Sequence, residues 1–268
     1  FIPNVVVGTG GYASGPTLYI ANLFNIPTLI QEQNSYPGIT NKILSKRVNT
    51  VCVAYRNLDK FFPKDKLVLT GNPVRLSISS NEDYFDKGIS HFKLDSNKKT
   101  LLVIGGSLGS REINKSIYSI IDYLKYLNLQ VIWQCGKLYY DQYKEKAKEG
   151  IVIRSFIYKM QQFYSAADFI ISRAGAGSLS ELCGVGKPLL LIPSPNVTAN
   201  HQYHNAIALE KKGAAFVIEE KNIETDFKRI FNKLVSDTVV QKSMHKELKA
   251  LAKPEAAQSI VKEITALL

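Results

Sequence analysis

Ser172-Arg173-Ala174-Gly175-Ala176-Gly177-Ser178-Leu179-Ser180-Glu181, set between the apolar runs Phe169-Ile170-Ile171 and Leu189-Leu190-Leu191-Ile192, reads as a strand, a turn of small residues and a helix. Gly175, Ala176 and Gly177 let the backbone turn tightly and approach a ligand, and Ser178 is placed to cap a helix through Leu182 and Cys183. A helix starting after a parallel strand offers free N–H groups and the positive end of its dipole, which suit an anion such as phosphate. Glu181, one turn further in, can accept two hydrogen bonds from vicinal hydroxyls such as those of a ribose. Ser178 and Glu181 also have the spacing of a capping box, which needs no ligand. The stretch therefore has two readings, a nucleotide site or a self-satisfied helix start.

The same strand, glycine turn and helix recur twice upstream. Val5-Val6-Val7 runs into Gly8-Thr9-Gly10-Gly11-Tyr12-Ala13-Ser14-Gly15-Pro16, with Pro16 suited to a first helical turn. Thr100-Leu101-Leu102-Val103-Ile104 runs into Gly105-Gly106-Ser107-Leu108-Gly109-Ser110, then a helix with Ile113, Ile117, Ile120, Ile121 and Leu124 on one side. Between these units the pattern predicts strands at 28–30, 51–53 and 67–69, and a helix over 38–45. In the second half it predicts strands at 130–133, 151–153, 169–171, 189–192 and 215–218. Helices close the chain over 224–234 and 238–251, with a last one opened by Pro254. Strands alternating with helices predict parallel sheets with right-handed crossovers, and ligand sites at the carboxyl ends of the strands.

The polar run over 77–86 and Asp95-Ser96-Asn97-Lys98-Lys99 read as a connection. The expected organisation is residues 1–76 as part of a first α/β domain, 77–98 as connection, 99–252 as a second, and 253–268 as a C-terminal helix that can pack back on the first. Four strands are visible in the first domain where a nucleotide-type domain has about six. Because the chain also opens almost directly into a strand, that domain is expected to be cut at its N-terminus.

Of the 268 residues, 45% are hydrophobic and 21% charged, which fits substantial cores and excludes disorder as the theme. No apolar run is long enough to cross a bilayer, and no basic-then-apolar leader precedes a cleavage site. Cys52, Cys135 and Cys183 lie far apart in or beside apolar segments, without metal-site spacing, and fit buried thiols in a reducing cytosol. Lys and Arg exceed Asp and Glu by 34 to 23, a formal +11, so anionic partners are expected. The cations are spread along the chain with no nucleic-acid motif, which excludes nucleic acid from the expected partners.

Gly8-Thr9-Gly10-Gly11-Tyr12-Ala13 satisfies the dinucleotide pattern G-x-G-x-x-G/A, and Glu32 follows at about the spacing of a ribose-binding acid. Glu32 also opens the polar series Glu32-Gln33-Asn34-Ser35-Tyr36-Pro37-Gly38, which has the composition of a substrate loop. Ser107 can add a hydroxyl to a nest of backbone donors around a phosphate. Arg75, in Gly71-Asn72-Pro73-Val74-Arg75, can carry its guanidinium to a pyrophosphate or form an interdomain ion pair. Phe156-Ile157-Tyr158-Lys159-Met160 follows a strand and can wall a base, or be plain core. The side chains of His201-Gln202-Tyr203-His204-Asn205 can point into a cleft.

Taken together and in order, these stretches closely resemble the MurG family, bacterial transferases that move GlcNAc from UDP-GlcNAc to lipid I. The resemblance rests on residues 7–16, Glu32-Gln33-Asn34, Thr70 through Arg75, Gly105-Gly106-Ser107 and Ser172 through Glu181, and covers essentially the whole chain. It implies the α/β GT-B architecture, two Rossmann-like doubly wound domains facing a cleft. It implies that Ile157 binds uracil through its backbone, Glu181 the ribose, Ser107 and Arg75 the diphosphate, and Gln202 and Asn34 the GlcNAc. Arg173, Ala176, Gly177, Ser178, Leu179 and Ser180 would line the donor.

Gly10, Gly11, Tyr12 and Ser14 would hold the acceptor's pyrophosphate, and Glu32 and Asn34 are the candidate catalytic residues. The family's first glycine-rich loop, with the histidine proposed to assist the attacking hydroxyl, is expected upstream of Phe1. Gln31 stands where many relatives carry His, and cannot exchange a proton usefully. The implied chemistry is inverting transfer to the MurNAc 4-hydroxyl, giving lipid II. Helix N-termini and Arg75 would stabilise the leaving diphosphate, with no metal or other cofactor and no Asp-x-Asp motif. The lipid acceptor implies a peripheral position on the anionic cytoplasmic face of the inner membrane, which the positive charge fits. The nearest enzyme alternative is a different GT-B UDP-sugar enzyme such as an epimerase, and the alternative of another class is a donor-binding fragment without turnover.

Overall fold

Two parallel sheets organise the chain in the computed structural model, which describes residues 2–75 and 85–268. The first sheet has strands in the order β1 (Val6–Gly8), β2 (Thr28–Glu32), β3 (Thr50–Val53) and β4 (Leu67–Leu69). Helices α1 (Ser14–Leu23) and α2 (Ile39–Leu44) link the first three strands. Every residue of β2 is buried, because both faces are covered. Ile30, with Val51 and Val53 of β3, packs toward Leu18 of α1 and Leu44 of α2. Leu29 and Cys52, pointing the other way, pack on Ile260 of the last helix, α12 (Ala256–Thr265).

The part of the expected connection from 77 to 84 lies outside the described residues. Residues 85–92 form a helix, α3 (Phe85–Phe92), whose Ile89 and Phe92 join the core of the second sheet. The Phe92 ring meets Phe163 edge-on at 4.4 Å. This segment therefore packs as an element of the second body.

The second sheet contains β5 (Lys99–Ile104), β6 (Leu129–Gln134), β7 (Ile151–Arg154), β8 (Phe169–Ser172), β9 (Leu189–Leu191) and β10 (Phe216–Val217). Their order is β10-β9-β8-β5-β6-β7, all parallel, so the winding reverses between β5 and β8. Around it lie α4 (Arg111–Ser119), α5 (Ile121–Tyr126), α6 (Tyr140–Tyr143), α7 (Met160–Ala166), α8 (Ala176–Val185), α9 (His201–Glu210), α10 (Ile223–Ser236) and α11 (Thr238–Leu251). The continuous helix expected through Ile113 and Leu124 is two helices, broken at Ile120 (φ −110°, ψ 9°). Both pieces still bury their apolar stripe, since Ile113, Ile117 and Leu124 are fully enclosed.

Backbone-on-backbone packing fixes the loops after β5 and β6. Gly109 has φ +82°, and a Cβ there would lie 2.1 Å from the Cys135 carbonyl oxygen. Asn114 locks the same place: its Nδ2 donates to the Cys135 carbonyl at 2.8 Å, and its Oδ1 accepts from the buried Trp133 indole at 2.9 Å. The loop after β5 is thereby held rigidly at the point where the winding reverses.

Candidate functional site

Where neighbouring strands β5 and β8 send their connections in opposite directions, a crevice opens at their carboxyl ends. The loop after β5 ends at Ser110, which caps α4 by accepting from the Ile113 N–H at 3.3 Å. Ser107 is exposed at its tip. After β8, α8 begins at Ala176, and the cap is Gly175 (φ −67°, ψ 141°), not Ser178 as expected. The reason is local: the extended glycine already ends the strand, so Ser178 falls inside the first turn. No side chain caps this helix, which leaves its first N–H groups to solvent or an anion. Gly177 is exposed and faces open space.

Glu181 does not close a capping box. Its Oε1 accepts from Arg75 Nε at 3.0 Å and its Oε2 from Arg75 Nη2 at 3.1 Å. The Tyr164 hydroxyl donates to Oε2 at 3.2 Å. Burial, and then Glu181, push the Tyr164 phenol well above its usual range, so it stays a neutral donor. The Arg75 side chain is 54% exposed, and such a pair contributes about 1 kcal/mol or less. A ligand offering a diphosphate to Arg75 and hydroxyls to Glu181 can replace it at little cost.

Glu32 is 2% exposed. Its Oε1 accepts from the backbone N–H of Asn34 at 2.9 Å and from Asn34 Nδ2 at 3.2 Å. Its Oε2 accepts from the Gly38 N–H at 3.1 Å and from Asn41 Nδ2 at 2.8 Å. With all four positions filled by its own loop, Glu32 is an organiser of residues 32–41. It is placed neither as an acid or base nor, as the dinucleotide pattern would need, as a ribose acceptor.

The loop that Glu32 shapes joins the two domains. Asn34 Oδ1 accepts from Asn205 Nδ2 at 3.0 Å, the Ser35 N–H donates to Asn205 Oδ1 at 2.9 Å, and Asn205 Nδ2 also reaches the Ala174 carbonyl at 3.4 Å. Gln202 Oε1 accepts from the backbone N–H groups of Ala174 (3.3 Å) and Ser194 (2.9 Å), tying together the ends of β8 and β9. Asn72 makes a second bridge, donating to the Gln33 carbonyl and to Ser180 Oγ, each at 3.0 Å, while accepting from Gln31 Nε2 at 2.7 Å. His201 Nε2 is buried without a hydrogen-bond partner among the described residues, and desolvation lowers the pKa of its ring.

Several expected donor residues are otherwise engaged. Arg173 bonds the Ile192 carbonyl at 2.9 Å, Ser110 Oγ and the Glu220 carboxylate, all within the second domain. Leu179 and Ile157 are buried in the second core, so only their backbones can face a ligand. Ser180 is spent on Asn72 and on the Ala176 carbonyl. Asn72, Asn205 and Tyr164 were missed as individual residues. The first two lay within polar segments that the sequence did single out, whereas nothing local marks Tyr164.

At the end of β1, Gly10 and Gly11 adopt φ +84° and +79°. Ser14 Oγ donates to the Gly11 carbonyl at 3.1 Å, and α1 starts at Ser14, before Pro16. Tyr12 projects fully into solvent. Gln33 Nε2 reaches the Thr9 carbonyl at 3.5 Å, linking this loop to the one after β2. Among the described residues there is no cluster of three His, Cys, Asp or Glu suited to a metal ion.

The family model for the glycosyltransferase family 28 C-terminal domain matches residues 100–262, and that for the family 28 N-terminal domain matches residues 1–53. The chain belongs to glycosyltransferase family 28. Among family 28 relatives, a protein of Flavobacterium psychrophilum is 53% identical over all 268 residues, which cover 73% of it. It is named UDP-N-acetylglucosamine--N-acetylmuramyl-(pentapeptide) pyrophosphoryl-undecaprenol N-acetylglucosamine transferase. A Christiangramia forsetii protein of the same name is 46% identical over the same span. The crystal structure of Acinetobacter baumannii MurG aligns with a TM-score of 0.80 at 29% identity, over 98% of this chain and 73% of that one. A putative UDP-N-acetylglucosamine 2-epimerase from Listeria monocytogenes aligns with a TM-score of 0.71 at 11% identity, a likeness of fold alone. The two-domain α/β reading thus holds as the GT-B architecture of family 28.

Proposed function

We propose that this family 28 glycosyltransferase transfers GlcNAc from UDP-GlcNAc to the 4-hydroxyl of the MurNAc-pentapeptide of lipid I, forming lipid II. The observation that carries the reading is 53% identity, over the entire chain, to a transferase named for this reaction. The uncapped start of α8 beside the loop after β5 is the physical counterpart, a face suited to a diphosphate.

The donor lies across that face. The Ile157 backbone meets the uracil, and Ala176, Gly177, Ser178 and Ser107 surround the phosphates. Glu181 takes the ribose hydroxyls as Arg75 leaves it for the diphosphate. Gln202 and Asn34, already joined through Ala174 and Asn205, border the GlcNAc. Gly10, Gly11, Tyr12 and Ser14 receive the acceptor's pyrophosphate. The acceptor oxygen attacks the anomeric carbon as the bond to UDP breaks; the electron pair leaves on the diphosphate, and the proton of the attacking hydroxyl passes to solvent water. The α8 N-terminus and Arg75 oppose the charge that grows on the leaving group. Glu32 acts by positioning Asn34.

Titration with UDP-GlcNAc, UDP-glucose and NAD tests this reading. UDP-GlcNAc should bind selectively and at least tenfold more weakly to Glu181→Ala. Binding of NAD in place of any uridine nucleotide would overturn it.

No helix among the described residues is long and apolar enough to cross a membrane. The lipid acceptor is met instead through a surface on the first domain. Ile20 and Leu23 of α1, Phe24 just after it, and Ile39 and Ile43 of α2 are exposed, and α2 and its C-terminal flank carry Lys42, Lys46 and Arg47. An apolar patch flanked by cations suits the anionic cytoplasmic face of the inner membrane, where the protein would sit peripherally. L23E/F24E should lose sedimentation with phosphatidylglycerol vesicles, and undiminished binding would remove this surface from the proposal.

A further inference from the structure

A cavity of about 420 Å³ lies between the domains, lined by residues 54–57 after β3 and by the faces of α8 and α9. Ser107, Ala176, Gly177, Ser178, Glu181 and Arg75 are not among its lining residues, whereas Leu179 and Ser180 of α8 are. Five cations line it: Arg56, Lys60, Lys211, Lys212 and Lys253. No Asp or Glu does. At the chain's ratio of 23 acids to 34 bases, five bases would be accompanied by about three acids. Of the carboxylates next to these cations in sequence, Asp59 pairs with Lys64 at 3.4 Å and Glu210 bonds the Val217 backbone. None of the five cations forms an ion pair among the described residues.

Assembling like charges in a concave site costs free energy that an anion recovers, and low-dielectric walls strengthen the attraction. Those walls are present as Ile207, Ala208 and Leu251. Tyr55, which packs against both domain cores, also lines the cavity. Its burial pushes the phenol well up, leaving a neutral hydroxyl that can donate. Arg56 supplies the planar fork that suits phosphate oxygens, and the lysines supply point charges. The volume is within the range of small-molecule pockets.

We infer that this interdomain cavity is a second anion site, built to take a phosphorylated small molecule and adjoining the donor face at Leu179 and Ser180. Arg56 and Lys60 come from the first domain and Lys211 and Lys212 from the second, so the cavity presents cations to a bound anion from both domains.

Calorimetric titration with inorganic pyrophosphate tests the site in the wild type, in R56E/K211E, and in K98E/K242E, which has the same charge change at exposed positions that do not line the cavity. Binding to the wild type should weaken with added salt, fall at least tenfold in R56E/K211E, and fall less than threefold in K98E/K242E. Far-UV circular dichroism should be alike in all three. Equal losses in both double variants would show diffuse charge attraction only. That result, undiminished binding to R56E/K211E, or no binding to the wild type would each overturn the inference. A parallel titration with UDP reports on the donor face, so that the two proposals fail or stand separately.

Discussion

Replacing Glu32 by Gln changes almost nothing in shape and reverses the hydrogen-bond logic of the loop that joins the domains. The carboxylate accepts four hydrogen bonds, from the Asn34 N–H, Asn34 Nδ2, the Gly38 N–H and Asn41 Nδ2. An amide has one acceptor oxygen, so whichever way the new side chain is turned, its NH2 group confronts two of those donors. Hydrogen bonds to a charged group contribute roughly 1.5–3 kcal/mol each, and two are lost outright, so the expected destabilisation is about 3–6 kcal/mol. That is a large share of the roughly 5–15 kcal/mol that holds a domain folded. Urea unfolding followed by circular dichroism measures the whole loss, and hydrogen exchange at the Asn34 and Gly38 amides locates it. A variant within about 0.5 kcal/mol of wild type, with both amides as protected as before, would refute the assignment of Glu32 as loop organiser. Should such a stable variant also have lost transfer activity, Glu32 would have to be an acid or base after all.

Tyr164→Phe removes the hydroxyl that orients Glu181 and should weaken UDP-GlcNAc binding about threefold to tenfold at unchanged thermal stability; an unaltered dissociation constant would count against that contact. Gly109→Ala places a methyl carbon 2.1 Å from the Cys135 carbonyl oxygen at a φ of +82° and should cost at least about 2 kcal/mol in urea unfolding. Burial pushes the Cys52 and Cys183 thiols up to about 12 and Cys135 to about 11, so native protein at pH 8 should react with no thiol reagent and unfolded protein with three equivalents. Because the folded state holds these protons more tightly, the stability is present below pH 9, the ordinary thiol value, and falls as pH rises from 9 toward 12. Constant stability across that interval would contradict the burial of the thiols.

The sheet was legible in the sequence because its strands are buried on both faces. Runs such as Phe169-Ile170-Ile171 and Leu189-Leu190-Leu191 stand out between glycine turns, and each strand lies within two residues of its expected ends. Helix starts were harder. Ala174-Gly175-Ala176-Gly177-Ser178 offers several plausible caps, and a glycine in extended conformation won without any side-chain bond. The break at Ile120 has neither Gly nor Pro to announce it. The resemblance led to the donor face, but it did not reveal which polar groups are spent on each other. Arg75 finds Glu181 and Asn72 finds Ser180 across more than a hundred residues, and local pattern carries no information at that range. Tyr164 shows the limit most sharply, as a helical tyrosine made specific only by the carboxylate it meets.

The contact of Ile260 with Leu29 and Cys52 has a bearing on synthesis. On a ribosome the first sheet emerges early, yet the cover that Ile260 of α12 gives Leu29 and Cys52 is made only after the whole second domain. The domain translated first is thus completed last. A nascent chain halted near Leu251 would carry a finished second domain while Leu29 and Cys52 still lacked the contact with Ile260.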